Sequence, residues 1–530
     1  MQIKRFSVND HLCLVDFHID FQTISRGARN GGSTTILIGE NGTGKSTMME
    51  TILEILLSFD SPAREEEIDY SYKLEYDYAQ KDISIEKNED KYRIIVDGLV
   101  ISGAFDTVRE KLKGISIFPK RLITFYSGAN NKMLYWFEFL NRWYKIRCRK
   151  TVELYVTSLK YPSEEFLHQL PMRKFNYCDE SFVPIYLSAI LAGQDSYEKQ
   201  YLQRECRFRN VEYINMEINM ERLAWLFDVP TFEDDDLTNL YVISDFIDQR
   251  FTPLLKNGFL YGEGNKGYFE IEGLEELGVD SISILEYFEK MQSLFDAKFE
   301  VTVAYGESQV ESSQMSEGQR QLIKILGMLG ICKSEDCLVL MDEPDAHMNP
   351  KWKYELYPII QSSLEKAINT QALIATHDPL VINGVSKEFI RIFTHTSSKK
   401  TDGLYQTKVV IPTEDTEGLG IDGLLQSEYY GMPSVLDHNT REKMDKRNDL
   451  LVKRKDGTIT EDESQTLIEL TDDLENMAFA RNIPTDSYYD EYVAAMHRIY
   501  SERPKASLTA EDIAERNAKA EEILRGLLNK

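Results

Sequence analysis

Eight consecutive residues constrain this chain more than any other feature. Gly39-Glu40-Asn41-Gly42-Thr43-Gly44-Lys45-Ser46 matches G-x-x-x-x-G-K-[ST]. The motif lies between an apolar run, residues 34–38, and a helical pattern that puts Met49, Ile52, Leu53 and Leu56 on one face. Glycines at this spacing let successive backbone N–H groups converge on phosphate oxygens. Lys45 brings a point charge to the β- and γ-phosphates, and Ser46 brings a hydroxyl to Mg²⁺. The helix that opens here, with Thr47 in its first turn, adds the positive end of its dipole. A plain glycine turn would explain the glycines, but not a strand before them and a Lys-Ser pair opening a helix after them. Gly39 to Thr47 therefore read as a P-loop, with ATP and Mg²⁺ as the expected ligands.

The chain has 530 residues, enough for about three or four domains of ordinary size. Its 61 Lys and Arg stand against 88 Asp and Glu, a net charge of −27. Such a balance excludes a generally basic coat for nucleic acid and leaves room only for a local patch. No uncharged apolar run reaches about 18 residues, so no transmembrane helix is expected. The first 20 residues alternate apolar and polar through Asp10, Asp16 and Asp20, unlike a signal peptide. The cysteines (Cys13, Cys148, Cys178, Cys206, Cys332, Cys337) are scattered without a C-x-x-C pair, which suits free thiols in a reducing cytosol. A cytoplasmic location is the expectation.

Four stretches differ in pattern. Residues 1–130 read as strands, the P-loop helix and, from Tyr70 to Ile101, an antiparallel meander turning at Asn88-Glu89-Asp90. Residues 131–294 carry long, aromatic-rich, mainly helical patterns, as an arm would. In residues 295–412, strand and helix signals alternate as in a parallel sheet with crossovers. Residues 413–530 are helical and acidic, with 15 Lys or Arg against 26 Asp or Glu, a net of −11. A polar stretch, 413–423, reads as the linker to this extension. Thr460 and Glu463 form a capping-box start for a helix carrying Leu467, Leu470 and Leu474, and Thr509 with Asp512 begins the last helix.

Three later segments extend the P-loop reading. Leu338 to Met341 are apolar and lead into Asp342-Glu343-Pro344. At a strand end, Asp342 is placed to hold Mg²⁺ and Glu343 to polarise an attacking water. Met315-Ser316-Glu317-Gly318-Gln319 precedes an amphipathic run, so Ser316 reads as an N-cap and the start of that helix, with Gly318 and Gln319, as an anion site. His377 follows the strand run Ala372 to Thr376, which aims it at a γ-phosphate; the other seven histidines read as structural.

The order P-loop, Ser-x-Gly-Gln, strand plus Asp-Glu, strand plus His resembles the ABC-type ATPase head over residues 1–130 and 295–412. That resemblance implies an α/β P-loop head with an antiparallel β subdomain, a helical insertion between P-loop and signature motif, and a helical C-terminal extension. It also implies that heads pair around two ATPs. Ser316, Gly318 and Gln319 would then act on a neighbour's P-loop, in a homodimer or higher homo-oligomer. Several residues depart from the family pattern: Met315 for the usual leucine, Glu317 for a glycine, Asn349 for the D-loop aspartate, and Tyr126-Ser-Gly-Ala-Asn-Asn131 where a Q-loop glutamine is usual. They point to slow hydrolysis or to ATP as a regulatory ligand.

About 270 residues separate Ser46 from Ser316, as in SMC-like and RecF-like ATPases. The Asp342-Glu-Pro-Asp-Ala-His347 box, the Tyr126 stretch, the acidic tail and residues 419–433 most resemble the PtuA-type ATPases of Septu and retron-associated Septu-like anti-phage systems. That likeness implies an HNH nuclease partner of the PtuB type and, in retron versions, a reverse transcriptase with its RNA–DNA hybrid. Residues 413–530 hold neither a Toprim-like Asp-x-Asp in a strand context nor clustered histidines, so nuclease activity is assigned to a partner. The alternatives are a RecF/SMC-like repair clamp that binds DNA itself and a scaffold with negligible turnover. Residues 120–150 hold eight Lys or Arg against Glu138 alone, interleaved with Trp136, Phe139, Trp143 and Tyr144. This island reads either as a nucleic-acid contact or as an amphipathic helix whose rings are core.

Overall fold

Continuous apolar runs, rather than alternating ones, form the central layer. The computed structural model describes residues 1–21, 32–60, 68–127, 132–157, 173–193, 195–219, 221, 259–263, 266–272, 274, 281–333, 336–365, 367, 369–399, 405–477, 489–500 and 510–528. The chain divides into two compact units, Met1–Ile382 with Glu388–Ile411, and Asn383–Lys387 with Pro412–Lys530.

In the first unit, β3 (Ser33–Gly39), β8 (Arg121–Tyr126), β9 (Phe175–Tyr177), β15 (Cys337–Asp342), β16 (Gln371–Ala375), β17 (Ile390–Lys399) and β18 (Tyr405–Val410) make a seven-stranded sheet. Its order is β18-β17-β3-β16-β15-β8-β9, parallel except for β18. Alternate residues enter two cores: Leu338 and Leu340 face α1 (Lys45–Asp60), whereas Val339 and Met341 face α7 (Glu317–Ile331), α8 (Pro350–Leu364) and α9 (Pro379–Ile382). A sheet covered on both sides selects unbroken Val, Ile and Leu runs. Register aligns Leu37 with Ala375, Ala375 with Asp342, and Asp342 with Tyr126. The carboxyl ends of four strands thus finish level.

Alternating segments build the second layer. β1 (Gln2–Asn9), β2 (Phe17–Asp20), β4 (Ser71–Tyr78), β5 (Lys81–Asn88), β6 (Lys91–Val96) and β7 (Leu99–Gly103) form an antiparallel sheet, order β2-β1-β4-β5-β6-β7. Its inward residues, among them Leu74, Tyr76, Ile83, Ile85 and Ile94, share a core with α1 and α2 (Phe105–Lys111). The P-loop helix is therefore held between two sheets.

The insertion carries α3 (Lys132–Thr157), α4 (Phe182–Ala192), α5 (Tyr197–Cys206) and α6 (Ser281–Phe295). It also contributes β10 (Phe208–Asn219), β11 (Phe259–Glu263) and β12 (Lys266–Glu272), which the helical reading did not anticipate. These join β13 (Lys298–Tyr305) and β14 (Ser308–Glu311) in a five-stranded sheet, order β11-β12-β10-β13-β14. So β13, read as the first strand of a parallel sheet, instead pairs antiparallel with β10. Every residue of α4 is buried, and it packs on α7 so closely that a Cβ at Gly327 would stand 2.2 Å from Tyr186 Cγ. Among the described residues no helix is long and apolar enough to cross a membrane. All six cysteines are free.

The basic island is partly structural. Arg121 is 1% exposed and donates from Nη1 to Glu289 Oε2 at 2.8 Å, while Asn176 Nδ2 donates to Glu289 Oε1 at 2.8 Å. Lys145 pairs with Asp296, and Trp136, Phe137 and Leu140 pack against the core around α1. Arg142, Arg147 and Lys150 are exposed on α3.

The second unit holds α10 (Gly420–Gln426), α11 (His438–Lys455), α12 (Glu461–Glu475), α13 (Tyr489–Tyr500) and α14 (Ala510–Leu528). Thr460 and Glu463 close a reciprocal capping box, and Leu467 and Leu474 meet Leu450, Leu451 and Ala494. Thr509 lies outside the described residues. The stretch read as a linker is tied down: Thr416 is fully buried with Oγ1 donating to Val385 O at 2.8 Å, and Lys387 N donates to Asp415 Oδ1 at 2.8 Å. Short polar side chains that cap their own backbone look the same in sequence whether a segment is tied or free.

Removing one partner of a buried ion pair strands the other. Glu289→Ala should lower stability by roughly 3 kcal/mol, read as a drop in urea midpoint, and Arg121→Met added to it should restore part of the loss.

Candidate nucleotide site

The P-loop is pre-shaped around its lysine. Lys45 is 5% exposed, and its Nζ donates to Gly39 O at 2.8 Å and Glu40 O at 3.1 Å. Burial lowers this ammonium to about 8, with Glu343 and Asp342 pulling the other way. The loop is anchored from outside as well: Thr43 Oγ1 donates to Glu40 O at 2.7 Å, and Thr407 Oγ1 of β18 donates to Thr43 O at 3.0 Å. Gly44 has φ +91°, and a Cβ there would meet Leu14 Cδ2 at 2.8 Å and Cys13 Sγ at 2.9 Å. The sequence therefore needs glycine here twice over, for conformation and for room. Thr47 faces the same segment, accepting from Cys13 Sγ at 3.7 Å. Glu40, Asn41 and Gly42 are exposed at the loop's crest.

The acidic pair stands beside it. Asp342 ends β15 at 2% exposure, hydrogen-bonded to the Ser46 hydroxyl. Burial raises its carboxyl above the usual range, and the Ser46 bond and Lys45 counter part of that. A buried carboxylate and a hydroxyl, both hard oxygen donors, fit Mg²⁺. Glu343 has φ +52°, a left-handed backbone that costs about 1 kcal/mol or more outside glycine. Two bonds hold it there: its N–H donates to Ala375 O at 2.9 Å, and its carbonyl accepts from Ser127 Oγ at 2.8 Å. Burial, then the neighbouring Asp345 and Asp342 charges, push its carboxyl up to about 7. His377 Nε2 lies 3.2 Å from Glu343 Oε1. Burial and the Lys45 charge lower the imidazole below its ordinary value, while a bond with the Gly39 backbone opposes this.

Residues that the motif reading did not single out complete the site. Ser127 takes the place just after β8 where the family pattern has its glutamine, and its N–H donates to Asp342 O at 3.3 Å. Residues 128–131 of that stretch lie outside the described residues. Asp345, 3% exposed, accepts from Thr376 Oγ1 at 2.7 Å, and Lys353 Nζ sits 2.7 Å from Asp378 and 4.0 Å from Asp345. Strand register could have found Ser127. No local signal marks Thr407.

The signature residues stand apart from this cluster. Ser316 caps α7 with Oγ accepting from Gln319 N at 3.3 Å, while Gln319 Oε1 accepts from Ser316 N at 3.0 Å. Among the described residues, no hydrogen bond or ion pair joins Ser316 or Gln319 to the P-loop. Ser316 and Glu317 are exposed, and Gly318 packs near His347 O and Trp352. Met315 is 3% exposed, so it fills the core position of the usual leucine. Asn349 caps α8, accepting from Trp352 N at 3.0 Å.

Residues 243–383, which include Ser316, Asp342, Glu343 and His377, match the family described as "AAA domain, putative AbiEii toxin, Type IV TA system". The Septu protein PtuA of Bacillus mycoides (strain KBAB4) is 24% identical over 140 residues, 25% of this chain and 18% of that protein. The Retron Vc95 probable ATPase of Vibrio cholerae serotype O1 biovar El Tor is 25% identical over 130 residues, 22% of this chain and 23% of that protein. Over these segments the chain is similar to ABC/AAA-like ATPases of anti-phage systems. The matches span about a fifth of each relative's length. Among solved structures, the chain is similar to an SMC head bound to the C-winged helix domain of ScpA, with TM-score 0.33, 12% identity, and 78% of this chain and 98% of that one covered. The SMC head domain from Thermotoga maritima gives TM-score 0.31 and 9% identity over 77% of this chain and 99% of that one.

A general base must be ionised to accept a proton. If Glu343, raised to about 7, serves as such a base, ATP turnover by this chain should fall as pH drops through that value, and Glu343→Gln should be inactive across the whole profile. A phosphate-release assay from pH 5.5 to 9 would show a flat acid limb if Glu343 carried no such role.

Proposed function

We propose that this chain binds ATP with Mg²⁺, hydrolyses it, and through that cycle controls a partner nuclease in an anti-phage defence complex. The observation that carries the reading is the convergence of Lys45, Ser46, Asp342, Glu343 and His377 at the level carboxyl ends of neighbouring parallel strands. Ligands of open α/β sheets bind at such an edge.

Each residue has a distinct task. Gly39 to Thr47 wrap the phosphates with backbone N–H groups, and Lys45, already poised inside the loop, exchanges its contacts with Gly39 O and Glu40 O for phosphate oxygens. The negative charge of a polyanion there would also offset the effect of burial on its ammonium. Ser46 and Asp342 would hold Mg²⁺, which offsets charge on the phosphates when bound. Glu343 takes the proton of the attacking water. His377, neutral at physiological pH and next to both Glu343 and the Lys45 charge, orients that water or the γ-phosphate it leaves with. Burial, reinforced by the Asp345 charge, keeps the proton affinity of Glu343 high enough for the base to work near neutrality.

The exposed start of α7 completes the site from a second copy of the chain. Among the described residues the Ser316 helix start makes no bond to the P-loop; its dipole and the N–H groups of Glu317 and Gly318, which lie outside the capping box, suit a γ-phosphate presented by a neighbour. An HNH nuclease of the PtuB type, and a reverse transcriptase with its RNA–DNA hybrid where a retron is present, are the partners this reading assigns. A DNA-binding clamp is the second reading, favoured by the exposed Arg142, Arg147 and Lys150 on α3.

Mixing two inactive chains separates a shared site from a self-contained one. Lys45→Ala and Ser316→Arg chains should each lack turnover, and their mixture should regain it, because one composite site then pairs an intact P-loop with an intact helix start. A mixture as inactive as its parts would remove the paired-head arrangement. Purified alone, the chain should bind duplex DNA no more tightly with ATP than without it; a clear gain would favour the clamp.

A further inference from the structure

Both limbs of the P-loop rest on the β17–β18 hairpin. Gly39, at φ +143°, lies so close to β17 that a Cβ there would stand 2.2 Å from Phe393 O. The far limb is held by β18, which pairs antiparallel with β17 and sets Thr407 opposite His395. Thr407 is 3% exposed, and its hydroxyl lies 3.0 Å from Thr43 O and 3.3 Å from Cys13 O. Its single proton favours the nearer carbonyl, and no other donor reaches Thr43 O among the described residues.

That bond fixes a whole peptide plane. The Thr43–Gly44 peptide is trans, so the Thr43 C=O and the Gly44 N–H point in opposite directions. With Thr43 O drawn to β18, the Gly44 N–H points away from that strand, and it meets no acceptor among the described residues. Glycine rotates freely, and Gly44 already sits at φ +91°, so a plane left unheld would turn over at little cost. Turned over, it would replace a phosphate donor with a carbonyl oxygen, which repels phosphate. The hydroxyl of Thr407 selects between the two orientations.

We propose that Thr407 is a positioning residue for nucleotide binding, whose hydroxyl holds the Thr43–Gly44 peptide so that the Gly44 N–H meets a phosphate oxygen. The proposal rests on the reading of Gly39 to Thr47 as a triphosphate site. It assigns the side chain to the phosphates and not to the base or the ribose.

Calorimetry on the full chain with Mg²⁺ tests this with two probes, ATP and inorganic tripolyphosphate; the second has neither base nor ribose and so reads the phosphate cradle alone. Thr407→Val keeps the branched shape and loses the donor, whereas Thr407→Ser keeps the donor and loses a methyl group. Thr407→Val should weaken both probes about tenfold, and Thr407→Ser should restore both to within about threefold of the natural chain. In steady-state turnover, Thr407→Val should raise KM for ATP by a similar factor with less than about a twofold change in kcat. Unchanged affinity in Thr407→Val would overturn the proposal. So would a loss confined to ATP, which would place the effect on the nucleoside, or a Thr407→Ser chain as weak as Thr407→Val, which would make the role one of packing. Failure of the natural chain to bind either probe would instead remove the triphosphate reading, and this proposal with it.

Discussion

Leu37, Ala375, Asp342 and Tyr126 stand side by side in four parallel strands, and the rest of the site depends on that ladder. A slip of one residue in any pair would turn the side chains at the strand end to the opposite face. Asp342 would lose Ser46, Ser127 would lose Glu343, and His377 would point away from the P-loop. Unbroken apolar runs keep the register, because each strand is buried on both faces and alternate side chains feed two different cores. The chemistry of the edge is therefore enforced by packing far inside it.

Electrostatics at that edge is compressed into a small volume. Burial raises the Asp342, Glu343 and Asp345 carboxyls and lowers the Lys45 ammonium, while attraction between Lys45 and the first two opposes both shifts. The backbone fixes this arrangement: Glu343 is held in a left-handed conformation by bonds to Ala375 and Ser127. A bound triphosphate would relieve the lysine and tighten the loop.

Two buried arginines within the same unit make an instructive contrast. Arg121 meets Glu289 inside the insertion and has a purely architectural task, joining β8 to α6. Among the described residues, Arg173 Nε and Nη1 meet no partner beside a mainly apolar cavity. The difference between them is partnership, not burial.

The local motifs were legible because their physics is local. Glycine spacing, Lys45-Ser46, the apolar run into Asp342-Glu343, the Ser316 cap and the Thr460 box each depend on neighbours within a few residues, so sequence alone determined the P-loop, the acidic pair and the helix starts. The alternation in β4 to β6 likewise announced the antiparallel sheet. The sheet inside the insertion did not show, since the inward Ile214, Met216 and Ile218 of β10 are lost among aromatic residues and find their partners in β12 and β13, across long stretches of chain. The basic island divided for the same reason: a sequence counts charges but does not say that Arg121 meets Glu289, 168 residues away. Thr407 on the P-loop, Ser127 on Glu343 and the orphaned donors of Arg173 were decided by tertiary structure alone, because each rests on contacts between segments whose separation in sequence carries no information about their distance in space.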